Sequence, residues 1–321
     1  MRVFSRVKVK AGALALACGL LLAGCGGDGT GSSGAEASAE GAVAFTDALG
    51  REVSVSEPQR VAALIGSFAD VWCLAGGKDT LAAAAGDTWT RFDLDLPQTV
   101  AGLGAVKSPS IETLLAADPD FVIGSANTAA DVELMELMDE LGIPAACFEV
   151  TSFDDYLEML GICTRITGDA EAYRLHGEAV QEQVEAARAR ADGSSPTVLY
   201  IRATGSSCKV KGSEGSVLGE MLADLGCENI ADSETGLLES LSLETIVAAD
   251  PDYIFAVIQG EMEGAQAMLE GTLLDNPAWE GLTAVKEGRF YLMDQQLYNL
   301  KPNARWGEAY EGLADILYPK E

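Results

Sequence analysis

Residues 108–125 read SPSIETLLAADPDFVIGS, and residues 240–257 read SLSLETIVAADPDYIFAV. Nine of the eighteen aligned positions are identical, among them the string Ala-Ala-Asp-Pro-Asp at 116–120 and 248–252. Ser110 and Ser242 are suited to cap a helix start, with Glu112 and Glu244 in the first turn, where the helix dipole favours anions. A short apolar helix follows in each copy. Asp118 and Asp250 precede prolines and are biased out of the α region, so each helix stops there. Phe121-Val122-Ile123 and Tyr253-Ile254-Phe255 then read as buried parallel strands. Two copies this far apart signal a duplicated α/β lobe and not a solenoid.

Length and composition agree with two lobes. A chain of 321 residues accommodates two domains of ordinary size, and 48% apolar residues suffice for packed cores. Fifty acidic residues against twenty-one basic ones give a net charge of −29. That field repels nucleic acid and anionic lipid, so no nucleic-acid partner is expected.

Outward from the repeats, the chain alternates strand and helix. Phe45–Val55 alternates around an Asp/Gly turn and reads as a hairpin, and Val61–Ile65 is the first strand of the lobe. Ser67–Gly76 reads as a helix, and Thr80–Ala85 as a short strand or turn. Residues 86–93 form a loop without apolar periodicity. After the first repeat come a helix over Ala129–Leu141, a strand over Ala145–Val150 and a helix over Phe153–Thr167. Gly168 interrupts, and an Ala/Glu-rich helix follows to about residue 191, roughly 34 Å long. Residues 192–196 are a breaker cluster. The second lobe then carries strands over Thr197–Ile201 and Gly288–Met293, helices around Met221–Leu225 and Ala265–Leu269, and a closing helix over Asn303–Leu317. The expected fold class is α/β, with largely parallel sheets. The expected lobes are 43–168 and 193–321, with a connecting helix over 169–192.

At the start of the chain, a basic segment and an apolar run from Ala11 to Leu22 form a signal peptide over 1–24, too short to span a membrane comfortably. Leu22-Ala23-Gly24-Cys25 resembles the lipobox of bacterial lipoproteins. The resemblance implies cleavage before Cys25 and a diacylglycerol on its sulfur. That places the protein on the outer face of the cytoplasmic membrane, touching it through the lipid anchor only. Residues 25–42 are a flexible Gly/Ser/Ala tether.

A wider resemblance rests on four motifs in order. They are Thr46-Asp47-x-x-Gly50-Arg51-x-Val53 with Pro58-x-Arg60-Val61; the two repeats; Asn276-Pro277-Ala278-Trp279 with Ala284 to Arg289; and Lys301-Pro302-Asn303-Ala304-Arg305-Trp306 before the final helix. From about residue 45 to 319 the chain resembles the class III substrate-binding lipoproteins of iron-siderophore, haem and cobalamin ABC importers. The resemblance implies two lobes joined by a single long helix with little hinge motion, and a small-molecule metal chelate held between them. It also implies a monomer that delivers its ligand to an ABC permease dimer with a cytoplasmic ATPase. At the repeat position the family presents one exposed glutamate per lobe to the permease, which assigns docking to Glu112 and Glu244.

The residues themselves argue against an enzyme. His176, the only histidine, lies among polar residues of the long helix and reads as a surface residue, leaving no Ser-His-Asp or Cys-His pair. No phosphate-binding glycine motif, resident metal site or cofactor is expected. Cys73, Cys147, Cys163, Cys208 and Cys227 read as buried thiols, with one disulfide left open. An exported hydrolase is the remote alternative.

Ligand-contact candidates sit at the ends of parallel strands, where α/β sheets place their clefts. They are Ser67, Phe68, Trp89, Thr90, Arg91 and Asn127 in the first lobe. In the second they are Arg202, Lys209, Lys211, Gln259, Tyr298, Lys301 and Arg305. Trp89 and Tyr298 are suited to stack on a flat ligand, and the six cations to pair with carboxylate or catecholate oxygens. A ferric siderophore is the expected ligand, with haem or a corrinoid as the alternative. Trp279 and Trp306 are expected in the core.

Overall fold

The computed structural model describes residues 41–320, so the signal peptide, Cys25 and most of the tether lie outside the described residues. Both repeats fold for the same local reasons. The Ser110 hydroxyl accepts from the Thr113 amide at 3.2 Å and Ser242 from Thr245 at 3.3 Å, starting the helices Ile111–Ala116 and Leu243–Ala249. Asp118 and Asp250 take left-handed backbone, with φ of 49° and 41°, and end those helices. The second aspartate has a role not read from the sequence. Asp120 accepts from the amides of Gln59 and Arg60 at 2.8 and 2.9 Å, and Asp252 from the amide and hydroxyl of Thr197 at 2.9 and 2.8 Å. Each therefore pins the chain as it enters the first strand of its own lobe.

The first lobe contains β1 (Val43–Thr46), β2 (Glu52–Val55), β3 (Val61–Ala63), β4 (Leu81–Ala84), β5 (Ala101–Gly102), β6 (Phe121–Ser125) and β7 (Ala145–Phe148). Strands β1 and β2 form the expected antiparallel hairpin. The other five make a wholly parallel sheet in the order β5-β4-β3-β6-β7. Its helices are α1 (Gly66–Trp72), α2 (Asp87–Arg91), α3 (Ile111–Ala116), α4 (Ala129–Leu141) and α5 (Phe153–Thr167). The hairpin is fastened to the sheet by Asp47, whose carboxylate accepts from Arg51 Nη2 at 2.6 Å and the Cys147 amide at 3.1 Å. Burial opposes ionisation of Asp47, yet these donors hold its carboxyl below its ordinary value.

The second lobe contains β8 (Thr197–Thr204), β9 (Ser207–Lys211), β10 (Glu228–Asn229), β11 (Tyr253–Ile258) and β12 (Phe290–Met293). Strands β10-β8-β11-β12 are parallel, and β9 folds back antiparallel on β8. In both lobes the strand of the repeat pairs with the first strand: β6 with β3, and β11 with β8. The closing helix is Trp306–Leu317, and one apolar cluster runs from Phe121 and Phe153 through Val184 to Trp306, Tyr200 and Phe255. Phe153 and Trp306 meet edge-on at 5.9 Å across the lobes.

Several expectations are corrected here. The loop over 86–93 contains the helical turn α2, positioned by tertiary contact: Asp87 Oδ1 accepts from the Gly66 amide at 2.9 Å. Gly66 is required there, because a Cβ would lie 2.8 Å from the Thr88 nitrogen. The strand expected over 145–150 ends at Phe148, and the one expected over 197–201 continues to Thr204 because β9 pairs with it. The connecting helix is not one regular helix over 169–192. It runs Ala170–Tyr173, widens into a π turn over Arg174–Glu178 and continues as Ala179–Arg188. His176 lies in that turn and is half-buried, not a surface residue, and burial pushes its imidazole down against the pull of Asp169. The five cysteines are free thiols; Cys147, Cys163 and Cys227 are buried and Cys73 and Cys208 half-buried. Trp279 and Trp306 are core residues, as expected.

Candidate functional site

Four cations gather at one edge of the second lobe, facing the first. Across β8 and β9, Arg202 is paired with Lys209, and Tyr200 with Lys211. Directly opposed like charges on an antiparallel pair are destabilising, so this arrangement costs the fold stability unless an anion meets it. The Arg202 guanidinium is aimed by Tyr200, whose hydroxyl accepts from Nη2 at 3.1 Å. Lys301 enters the same group. Burial, then the charge on Arg202, pushes its ammonium below the ordinary value, while Glu149 just beyond β7 opposes both. Burial likewise lowers Lys211, with Arg202 and Lys209 adding to it. None of the four takes part in an ion pair with a described residue.

Two stretches of the first lobe reach the second: α2 after β4, through Arg91, and Glu149 just beyond β7, whose charge acts on Lys301. Trp89, 45% exposed, and Thr90 lie on α2, and Asn127 is exposed after β6. Gln259 is exposed after β11, its amide held by the Ala203 carbonyl at 2.8 Å. Arg91 is committed across the lobes. Its Nη1 donates to Gln295 Oε1 at 3.2 Å, and its carbonyl accepts from Gln296 Nε2 at 3.2 Å.

Four expected contact residues are corrected. Phe68 is fully buried against Phe148, ring centroids 6.2 Å apart, because α1 turns it back into the core. Ser67 is buried, and its carbonyl accepts from Asn303 Nδ2 at 2.8 Å. Tyr298 is buried with its hydroxyl donating to the Ala309 carbonyl at 3.0 Å, so its ring cannot stack on a ligand. Arg305 is drawn to Glu308, with bonds of 2.7 and 2.8 Å, and is no free cation. Sequence reasoning also missed Met262, 66% exposed at the start of a helix three residues beyond Gln259, and Asn303. Asn303 was visible only as a member of the motif over 301–306, with nothing to single it out within it.

The first lobe also holds a buried carboxyl. Asp131, at the start of α4, is fully buried; Oδ2 accepts from the Ser125 amide at 2.9 Å, and Oδ1 has no partner among the described residues. Burial pushes it up to about 7; the Ser125 amide opposes this and the charge on Asp87 adds to it. A carboxyl raised in the folded state contributes stability that is full below its unfolded value near pH 4 and is lost as pH rises through 7. Asp131→Asn should therefore stabilise the chain by about 2–4 kcal/mol at pH 8 and very little at pH 4. Urea denaturation at the two pH values checks this; destabilisation at both would mean a carboxylate held charged by its partner.

The model of the family described as periplasmic binding protein matches residues 61–297. This chain belongs to the periplasmic binding protein family. YhfQ of Bacillus subtilis (strain 168), whose name describes an ABC transporter substrate-binding lipoprotein, is 22% identical over 283 residues, 84% of this chain and 86% of YhfQ. The high-affinity heme uptake system protein IsdE of Staphylococcus aureus (strain Newman) is 22% identical over 227 residues, 70% of this chain and 75% of IsdE. Among solved structures, Staphylococcus aureus SirA complexed with staphyloferrin B superposes with a TM-score of 0.65 at 21% identity, covering 86% of this chain and 97% of SirA.

In this binding protein the two repeat helices present equivalent outer faces. Glu112 and Glu244 are both exposed. Ile111 and Leu115 stand beside Glu112 at 46% and 42% exposure, and Val247 beside Glu244 at 40%. Each glutamate thus lies on a small apolar patch in the same register of its helix.

Proposed function

We propose that this periplasmic binding protein is the substrate-binding component of an ABC importer that captures an anionic ferric siderophore between its lobes. The observation that carries the reading is the cluster of Arg202, Lys209, Lys211 and Lys301, without ion-pair partners among the described residues, in a chain of net charge −29. Such a cluster is favoured only when an anion completes it, and guanidinium and ammonium groups suit carboxylate or catecholate oxygens. The protein performs no chemistry of its own. It acts as a lipid-anchored monomer through Cys25 and hands the chelate to a permease dimer, with Glu112 and Glu244 engaging one subunit each. A cavity of about 880 Å³ lies elsewhere, lined by Phe45, Leu157, Ile162, Arg165 and Tyr173 among others. Its single cation, Arg165, is matched there by Glu158 and Glu178, so charge favours the cleft over this cavity.

Haem is the second reading, favoured by the likeness to IsdE and by exposed Trp89, which offers a flat ligand one stacking face. Titration of the full chain with ferric siderophores, haemin and cobalamin separates the choices. Trp72, Trp279 and Trp306 are buried, so Trp89 is the tryptophan that a ligand can quench by direct contact, and Trp89→Phe separates its share of the signal. Saturable quenching by a ferric siderophore is expected. A response to haemin or cobalamin alone overturns the ligand choice, and no response to any of them overturns the reading.

A further inference from the structure

Two of the contacts between the lobes differ in character. One is deep. Asn303, fully buried, reaches from the second lobe into the start of α1, where Nδ2 donates to the Ser67 carbonyl at 2.8 Å and to Asp70 Oδ2 at 2.7 Å. Its backbone is left-handed, with φ of 54°, a conformation that asparagine adopts more readily than other non-glycine residues. Beside it Phe153 and Trp306 close the apolar core across the lobes. This contact cannot open without exposing core.

The other contact is shallow. The Arg91 guanidinium and carbonyl are met by the two side-chain amides of Gln295 and Gln296 at 3.2 Å each. Arg91 and Gln295 are only half-buried, and Gln296 is exposed. The glutamine bond to the Arg91 carbonyl is neutral and the one from its guanidinium has a charged donor, but both lie at the long end of the hydrogen-bond range and in reach of water, so each contributes modest net stability. Helix α2, which carries Arg91, is five residues long and is tied to its lobe through Asp87 and Gly66. Trp89 lies on the same turn.

We infer that Gln295 and Gln296 are positioning residues that clasp Arg91 between the lobes, and that an arriving anion takes the guanidinium from Gln295 while Asn303 stays as the fixed pivot. The clasp keeps Arg91 aimed between the lobes, and it is weak enough for a carboxylate, a far stronger guanidinium partner than an amide, to displace it. The part played by the ligand rests on the proposed binding role; the clasp itself does not.

Hydrogen exchange on the full, ligand-free chain tests the clasp directly. Gln295→Ala with Gln296→Ala should raise exchange of the amides over 87–96 about three- to tenfold, the worth of one or two weak hydrogen bonds, and leave the amides of α1 unchanged. Gln295→Glu, which offers Arg91 a carboxylate, should slow exchange over 87–96 and slow association of any anionic chelate, read by stopped-flow quenching of Trp89. Unchanged exchange over 87–96 in both variants overturns the clasp. Equal loosening of α1 in the alanine pair overturns the separation of clasp from pivot. Altered exchange in a protein that binds no chelate leaves the clasp standing and removes the binding role instead.

Discussion

Replacing Glu112 and Glu244 together by alanine should abolish uptake of the chelate by the reconstituted importer while leaving its Kd for the binding protein unchanged. Both side chains are exposed, in the first turn of equivalent helices, and neither forms an ion pair with the four cations. As dipole partners they stabilise those helices by only about 0.3–1 kcal/mol each, so the variant should fold. Under the proposed docking role their value lies in symmetry: one anion per lobe, each on an apolar patch, would meet one cation per subunit of a two-fold permease. Either single variant should retain part of the transport. Paired measurements of transport and ligand affinity check the claim. A raised Kd would place the glutamates in lobe or ligand contacts, and undiminished uptake would remove them from docking.

Arg202→Ala with Lys301→Ala should weaken binding of an anionic ferric chelate on the order of 100-fold, taking about 1.5 kcal/mol for each charge-assisted hydrogen bond lost. The same pair should leave the empty protein as stable as before or slightly more so, since Arg202 and Lys301 repel each other there. A merely structural pair of cations would behave oppositely, with stability falling and affinity following it. Denaturation and titration of one preparation distinguish the two. Unchanged affinity would take the ligand out of this edge of the cleft.

Much of the fold was legible because the repeat is locally complete. Its serine cap, its aspartate before proline and its apolar strand each follow from neighbours in sequence, and α4, α5 and the β1–β2 hairpin run where their patterns place them. The rest depends on partners far along the chain. Helix α2 exists through Asp87 and Gly66, and five residues leave no periodicity to read. Strand β8 extends past Ile201 because β9 folds back on it, which puts Arg202 inside a strand and not after it.

The site was half legible for a related reason. The end of a strand locates a residue near the cleft and does not say which way its side chain turns. Phe68 and Tyr298 turn inward, where a ring and a bonded hydroxyl are better buried. Arg202, Lys209, Lys211 and Lys301 do converge, and their rarity in so acidic a chain made them visible. Asn303 was not singled out within its motif, because its bonds to Ser67 and Asp70 exist only after both lobes have folded.

The central claim is that an anionic ferric chelate binds between the lobes on the four cations of the second. A crystal structure of the protein grown with its ferric siderophore tests it most directly. The chelate is predicted to touch Arg202 and Lys301 on one side and the Trp89 turn on the other, with Asn303 still bonded to Ser67. A chelate seated instead in the cavity lined by Phe45, Leu157 and Tyr173, with the four cations untouched, would contradict the account.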